Sequence, residues 1–379
     1  RKQDFSHFRD ALAKMIDLML QEAEYRGYEE SPYDALLNKY ERDMTAAQVD
    51  AIFSAHRPKL VDLISRIGAA EQVDNRFLHQ AFDVDKQRDF AMKMIEKYGF
   101  DMQRGMQAIS THPFCTHFSI NDVRITPRFH DDWLNPALFG MMHEAGHGMY
   151  EQGIEQALEG TPLASGTSLG VHESQSRMWE NLVGRSKGFW SWALPQLKEI
   201  FPQLGDVSLE QFYKGINKVA PSFIRVEADE ATYNLHIMLR FQIEQEVLAG
   251  KLKVDDLPQA WNDTFNDFFG ITPPNDAVGV LQDVHWSAGL MGYFPTYALG
   301  NLLSVQYYNQ AVNAHPSIPN DIAEGKFDTL LTWLNENIHQ HGRKFTGPEL
   351  TQRVTGEDIQ SDDYIAYLES KYSAIYGLS

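Results

Sequence analysis

The sequence predicts a mainly α-helical protein, and three observations carry that reading. Apolar residues recur at three- and four-residue steps along most of the chain, and proline punctuation is sparse. Only one segment has the β-branched, turn-centred pattern of a hairpin. The 379 residues are 43% hydrophobic and 12% aromatic, enough for a large core and too apolar for a disordered acidic tail. With 33 Lys+Arg against 52 Asp+Glu, the formal net charge of −19 argues against nucleic acid as the main partner, because phosphate binding needs a basic face. No apolar run approaches the ~18 residues of a membrane span, and the start does not read as a signal segment. The single cysteine, Cys115, cannot close an intramolecular disulfide, so a reducing, cytoplasmic compartment is expected and the residue is read as packing.

Taken in order, Phe5, Phe8, Leu12, Met15, Ile16 and Met19 predict an amphipathic helix over 5–25. Similar stripes predict helices over 49–67, 90–98, 134–150, 170–184, 222–248 and 330–341. Between 117 and 126, β-branched residues flank Asn121-Asp122, the pattern of a short hairpin. No internal repeat, low-complexity tract or long polar linker interrupts the chain, so 1–379 reads as a single unit.

The most informative helix carries His143-Glu144-Ala145-Gly146-His147. Positions i and i+4 lie one above the other on a helix, so both imidazoles can reach one ion with Glu144 beside it. Asn135-Pro136 is expected to supply its N-cap and first-turn proline. The motif alone also suits a buried, hydrogen-bonded histidine pair. A catalytic zinc takes three protein ligands and keeps one position open, and Glu173 is the best third ligand. It lies 26 residues beyond His147, room for a loop and an antiparallel helix. Glu180 reads as a structural salt-bridge residue, while Glu151 and Glu155 are too close in sequence to fold back. Two imidazoles and one carboxylate leave the cation net positive, which acidifies water, and Glu144 would take the proton.

Over 222–248, Arg225, Asp229, Thr232, His236 and Arg240 would form one polar stripe on a helix. Two readings stay open: a solvent-facing ladder with Arg225–Asp229 pairing, or a wall where Arg225 clamps a carboxylate and Asp229 fixes its orientation. Downstream, His285 and Tyr293 stand in a glycine-interrupted aromatic run. They are either oxyanion donors or buried residues that satisfy backbone carbonyls.

Six motifs now stand in one order: His112-Pro113-Phe114, Asp122-Val123-Arg124-Ile125-Thr126, residues 143–147, His172-Glu173-Ser174-Gln175-Ser176-Arg177, residues 224–229 and residues 279–286. They resemble the HPF, DxRxT, HExxH, HESQ, I/VRxxAD and GxxQDxHW motifs of the M32 metallocarboxypeptidases, the carboxypeptidase Taq-like enzymes. The resemblance extends over nearly the whole chain. It implies a mainly α, helical gluzincin-type peptidase with a deep active-site cleft and a small β-sheet beside the zinc helix, a neurolysin-like architecture. The implied activity is removal of single C-terminal residues from peptides that bear a free carboxylate.

One divalent metal would be held by His143, His147 and Glu173, with zinc first and cobalt or manganese as alternatives, and Glu144 as general base. The resemblance further implies Arg225 as the carboxylate clamp, Arg124 as a contributor to the same pocket, and His285 and Tyr293 as transition-state donors. Asp122 and Asp229 are expected to support these groups from behind. A homodimer is expected, with no nucleic-acid or membrane partner. Family members carry helices before the segment equivalent to 5–40, so the chain is expected to lack that region. Two alternatives follow: a metal-binding helical protein with weak or no catalysis, and an oligoendopeptidase of similar architecture.

Overall fold

Most helices follow the apolar periodicity, and several open on a side-chain cap or a first-turn proline. The computed structural model describes residues 4–110 and 113–378. The chain begins with α1 (Ser6–Arg26), α2 (Pro32–Leu37) and α3 (Ala46–Ala69). Capping boxes at Ser31 and Thr45 open the latter two. Then come α4 (Val84–Tyr98), the strands β1 (Gly105–Gln107), β2 (Phe114–Ser119) and β3 (Asp122–Thr126), and α5 (Asn135–Gln152). These lead into α6 (Leu169–Arg177), α7 (Lys187–Ile200) and α8 (Leu209–Ile216). The remainder is α9 (Tyr233–Leu248), α10 (Leu257–Phe269), α11 (Pro295–Ala314), α12 (Ile318–Ala323), α13 (Asp328–Asn337), α14 (Gly347–Thr355) and α15 (Asp362–Tyr376).

These elements group into two units, each assembled from separated stretches of chain. The first takes the chain up to Ala70, Val219–Leu299 and everything from Gln360. Its core surrounds α9: Tyr33 and Phe53 both meet Phe241 edge-on at 5.3 Å. Glu244 is fully buried there and accepts from the Tyr33 hydroxyl (2.9 Å), the Trp286 indole (2.8 Å) and the Gly292 N–H (3.2 Å). One carboxylate thereby ties α2 to the segment before α11.

The second unit is Glu71–Lys218 with Gly300–Ile359. Tyr98, Trp179 and Phe327 pack as an aromatic cluster, with Tyr98 4.7 Å from Trp179 and 4.8 Å from Phe327. Helix α5 is buried on nearly every face, as a helix apolar all round should be. Against it lies the three-stranded sheet, order β1-β3-β2, with β1 parallel and β2 antiparallel to β3. Val123 and Ile125 of β3 are fully buried, while Phe118 and Phe114 of β2 are exposed. The expected hairpin forms with His117 opposite Val123.

Three expectations change. The segment 222–248 is not one helix: α9 starts at Tyr233, and a single 3₁₀ turn, Arg225–Glu227, precedes it. The cause is Asp229, whose carboxylate accepts from the backbone N–H groups of Ala220, Ala231 and Thr232, each at 3.0 Å. Such local bonds compete with helical ones, so the polar stripe does not exist. Asn135 is not a cap, since Leu134 precedes α5 in helical geometry and no side chain caps the end. The helix over 170–184 is α-helical only to Arg177 and continues as a π-helical turn, Met178–Val183. His112 lies outside the described residues.

Histidine 56 of α3 generates a pH-dependent expectation. It is fully buried, with Nε2 3.1 Å from the Asn234 amide nitrogen. Burial, and secondarily Lys59, lowers its pKa to about 4. The unfolded chain takes up this proton near the ordinary histidine value of about 6.5, the folded chain only near the lower one, so stability falls as pH drops through that window. Urea unfolding should show wild type losing about 2 kcal/mol more than His56→Phe between pH 7 and pH 5. Parallel losses in the two proteins would contradict this.

Candidate metal centre

Two helices that touch backbone to backbone build the centre. Helix α5 presents His143 and His147 one turn apart on one face. Helix α6, capped by Ser168 on the Val171 N–H (3.1 Å), packs across it and carries Glu173. Gly146 allows the contact: a Cβ there would fall 2.6 Å from Ser176 Cα and 2.7 Å from the Gln175 carbonyl oxygen. On the other side, a Cβ at Gly300 of α11 would fall 2.5 Å from Glu173 Cβ. Any side chain at either glycine would push Glu173 out of place.

Glu173 Oε2 lies 3.3 Å from His147 Nε2 and 3.6 Å from His143 Nε2. One donor atom from each of the three residues lies within 4.8 Å of the others. Four-coordinate zinc, with bonds of about 2.0–2.1 Å, separates its ligands by about 3.3 Å. The donor set therefore fits a divalent cation.

The imidazoles are turned by what holds their other nitrogens. His143 Nδ1 donates to Glu180 Oε2 at 2.9 Å, and Arg177 and Arg185 steady that carboxylate at 3.1 and 3.4 Å. His147 Nδ1 stands 2.6 Å from His172 Nδ1, and His172 Nε2 stands 2.6 Å from Glu151 Oε1. A cation between His147 Nε2 and Glu173 would take the Nε2 lone pair, and the ring hydrogen would then sit on Nδ1 and be donated to His172. His172 in turn donates from Nε2 to Glu151. Both Nε2 lone pairs are thereby left for a cation.

Charges in this buried pocket are strongly biased. Burial alone would raise Glu173, but Arg177, His143 and His147 hold it well below the carboxylate range. Burial lowers His147 to about 4. His143 rises despite its burial, because Glu173 and Glu180 face it. Glu144, 5% exposed, is pushed up to about 7 by burial, and its Oε2 has no hydrogen-bond partner among the described residues. A buried carboxylate poised near neutrality with an open acceptor is suited to taking a proton from water.

Sequence reasoning missed three of these side chains. Glu180 is more than a salt-bridge residue, because it orients His143. His172 entered only as part of a motif, yet it sits directly behind His147. Glu151 fails as a ligand but holds His172. A usable signal existed for Glu151, which follows His147 by four residues and so shares its face of α5.

Other expected site residues divide between the units. Arg124 and Asp122 lie in the same unit as the metal ligands, paired with each other through two 2.8 Å bonds on β3. Arg124 also lies over the Phe118 ring at 4.8 Å. Arg225, Asp229, His285 and Tyr293 belong to the other unit. There Arg225 is 4% exposed and donates from Nε and Nη2 to Asp283 Oδ1 (3.0 and 2.8 Å) and from Nη1 to the Tyr233 hydroxyl (2.8 Å). Asp283, not Asp229, orients it, because Asp229 is spent on the backbone N–H groups around its own turn. Arg240 shares Asp283 at 2.6 Å, and together the two arginines hold that carboxylate ionised despite its burial. A guanidinium has five N–H groups, so these three bonds leave capacity on Nη1 and Nη2. His285 Nε2 stands 3.2 Å from the Tyr297 hydroxyl, and the rings of His285 and Tyr293 are 5.3 Å apart.

Replacing His172 by Ala should leave the fold intact but loosen His147, weakening metal affinity about 10- to 100-fold in a competition with a chromogenic chelator. An unchanged affinity would show that His172 does not support the ligand.

The family model described as Carboxypeptidase Taq (M32) metallopeptidase matches residues 1–372. Thermostable carboxypeptidase 1 of Thermus thermophilus is 45% identical over 346 residues, covering 91% of this chain and 68% of that protein. Carboxypeptidase 1 of Bacillus subtilis is 39% identical over 377 residues, 99% of this chain and 75% of that protein. The crystal structure of an M32 carboxypeptidase from Deinococcus radiodurans R1 superposes with a TM-score of 0.97 at 44% identity, covering 99% of this chain and 76% of that one. Agreement at this level runs through both units and through the helices that carry the donor set, and so the chain belongs to the M32 family of metallopeptidases.

Proposed function

We propose that this protein is a metal-dependent carboxypeptidase that releases single C-terminal residues from peptides, with 1–379 acting as one catalytic domain. The observation that carries the reading is the convergence of His143, His147 and Glu173 beside the orphaned carboxylate oxygen of Glu144 in an M32 chain. Zinc is the proposed metal, because two imidazoles and one carboxylate form the donor set of many zinc hydrolases. Cobalt and manganese are the alternatives. When bound, the cation polarises the scissile carbonyl and acidifies water at its open position.

The side chains supply the rest. Glu144 accepts a proton from the attacking water and returns it to the departing amine. A cation held by His143, His147 and Glu173 would favour the ionised form of this carboxylate against the effect of its burial. Glu180 and His172 keep the two imidazoles in the tautomer that exposes Nε2. We assign the substrate's terminal carboxylate to Arg225, whose remaining N–H groups can form a two-pronged contact while Asp283 holds the fork. His285 and Tyr293 are the proposed donors to the oxyanion. Arg124 is the proposed second basic group of the pocket, and Asp122 holds it in the absence of substrate. No helix among the described residues is long and apolar enough to cross a membrane. A cytoplasmic location and a homodimer complete the proposal, the first resting on the lone Cys115 and the second on the family resemblance.

Glu144→Gln should retain one metal per chain by elemental analysis while kcat falls by at least about 100-fold. Near-normal turnover in that variant would remove Glu144 from the reaction. Peptides with a free C-terminus should be cleaved and their C-terminally amidated counterparts should not. Equal rates on both would favour an oligoendopeptidase, and one bound metal with no cleavage of either would favour a binding protein.

A further inference from the structure

Arg225 sits on a single 3₁₀ turn within a segment that has no ladder of its own, so something else must fix its place. Gln282 holds the turn itself, accepting from the Arg225 N–H at 2.8 Å and donating to the Phe223 carbonyl at 2.9 Å, and the last helix, α15, holds the two ends of the segment. Its Lys371 Nζ lies 2.6 Å from Glu230 Oε2, with side chains 6% and 3% exposed. The Tyr372 hydroxyl donates to the same Glu230 oxygen at 3.1 Å, and Tyr364 donates to the Glu230 carbonyl at 3.0 Å. The Tyr367 hydroxyl lies 2.9 Å from Lys371 Nζ. At the other end, the Val219 N–H donates to the Tyr376 hydroxyl at 2.8 Å. Asp229 then pins Ala220 to Ala231 and Thr232, closing 220–229 into a loop with Arg225 near its middle.

We propose that α15 is a positioning element for substrate capture, in which the buried Lys371–Glu230 pair and the Tyr376 hydroxyl hold the loop that presents Arg225. The proposal rests on Arg225 as the carboxylate anchor and extends it to residues that touch no substrate. A buried ion pair is a poor stabiliser compared with apolar packing of the same volume, because desolvation offsets its attraction. What it does provide is a fixed register between two pieces of chain. A displacement of about 1 Å at a binding group is enough to cost substantial productive binding. A merely structural pair would alter melting temperature alone, whereas a positioning pair alters KM.

The test compares Lys371→Met, Lys371→Arg, Tyr376→Phe and Arg225→Lys in the full metal-loaded chain, on a chromogenic N-acylated dipeptide with a free carboxylate. Lys371→Met should raise KM about tenfold with kcat within about twofold and metal content unchanged. Lys371→Arg should restore most of the loss, and Tyr376→Phe should raise KM about threefold. An unchanged KM in folded Lys371→Met, or a fall in kcat that tracks metal loss, overturns the proposal. If Lys371→Met does not fold, Tyr376→Phe decides, and an unchanged KM there overturns it equally. Arg225→Lys separates the two levels. A raised KM for Arg225→Lys beside a normal KM for Lys371→Met removes only the role of α15. A normal KM for Arg225→Lys removes the anchor itself.

Discussion

The backbone contact of α5 with α6 at Gly146 is the constraint on which the metal centre depends. Two histidines one turn apart on a helix define a direction but not a site; the third ligand has to arrive from another element at bonding range. Ser176 Cα and the Gln175 carbonyl lie where a Gly146 side chain would be, which brings Glu173 to 3.3 Å from His147 Nε2. Gly300 clears the opposite side. Shape here precedes charge: without these two absent side chains, no electrostatic preference would bring the three donors together.

Charge then distinguishes carboxylates that share one pocket. Glu173 and Glu180 face Arg177 and histidines and stay ionised in spite of burial. Glu144 lacks a direct hydrogen-bonded cation and is held near neutrality. One kind of side chain therefore supplies a metal ligand, an imidazole-orienting group and a proton acceptor, separated only by neighbours. The other unit repeats the device with Asp283, which two arginines keep ionised so that it can hold the Arg225 fork.

Much of this was legible in the sequence, and the limits have physical causes. His143, Glu144 and His147 declare themselves because helical spacing alone puts them on one face. Glu173 follows because 26 residues suffice for a return helix. The hairpin around Asn121 was readable from alternation, but β1, with three residues, is too short to show a period. The helix over 222–248 was misread because apolar spacing does not register a carboxylate that captures backbone N–H groups. Glu180, His172 and Glu151 were missed because their roles exist only across tertiary contacts. Asp283 stands within the motif at 279–286, yet its partnership with Arg225 spans 58 positions that no local pattern connects.

The central claim is a single divalent cation shared by two helices through Nε2 of His143, Nε2 of His147 and the carboxylate of Glu173. Anomalous diffraction at the zinc edge, from crystals of the zinc-loaded protein, tests it most directly. The account predicts one peak per chain, at about 2.0–2.2 Å from those three donors. An absent peak there, or a cation held by other residues, would contradict it.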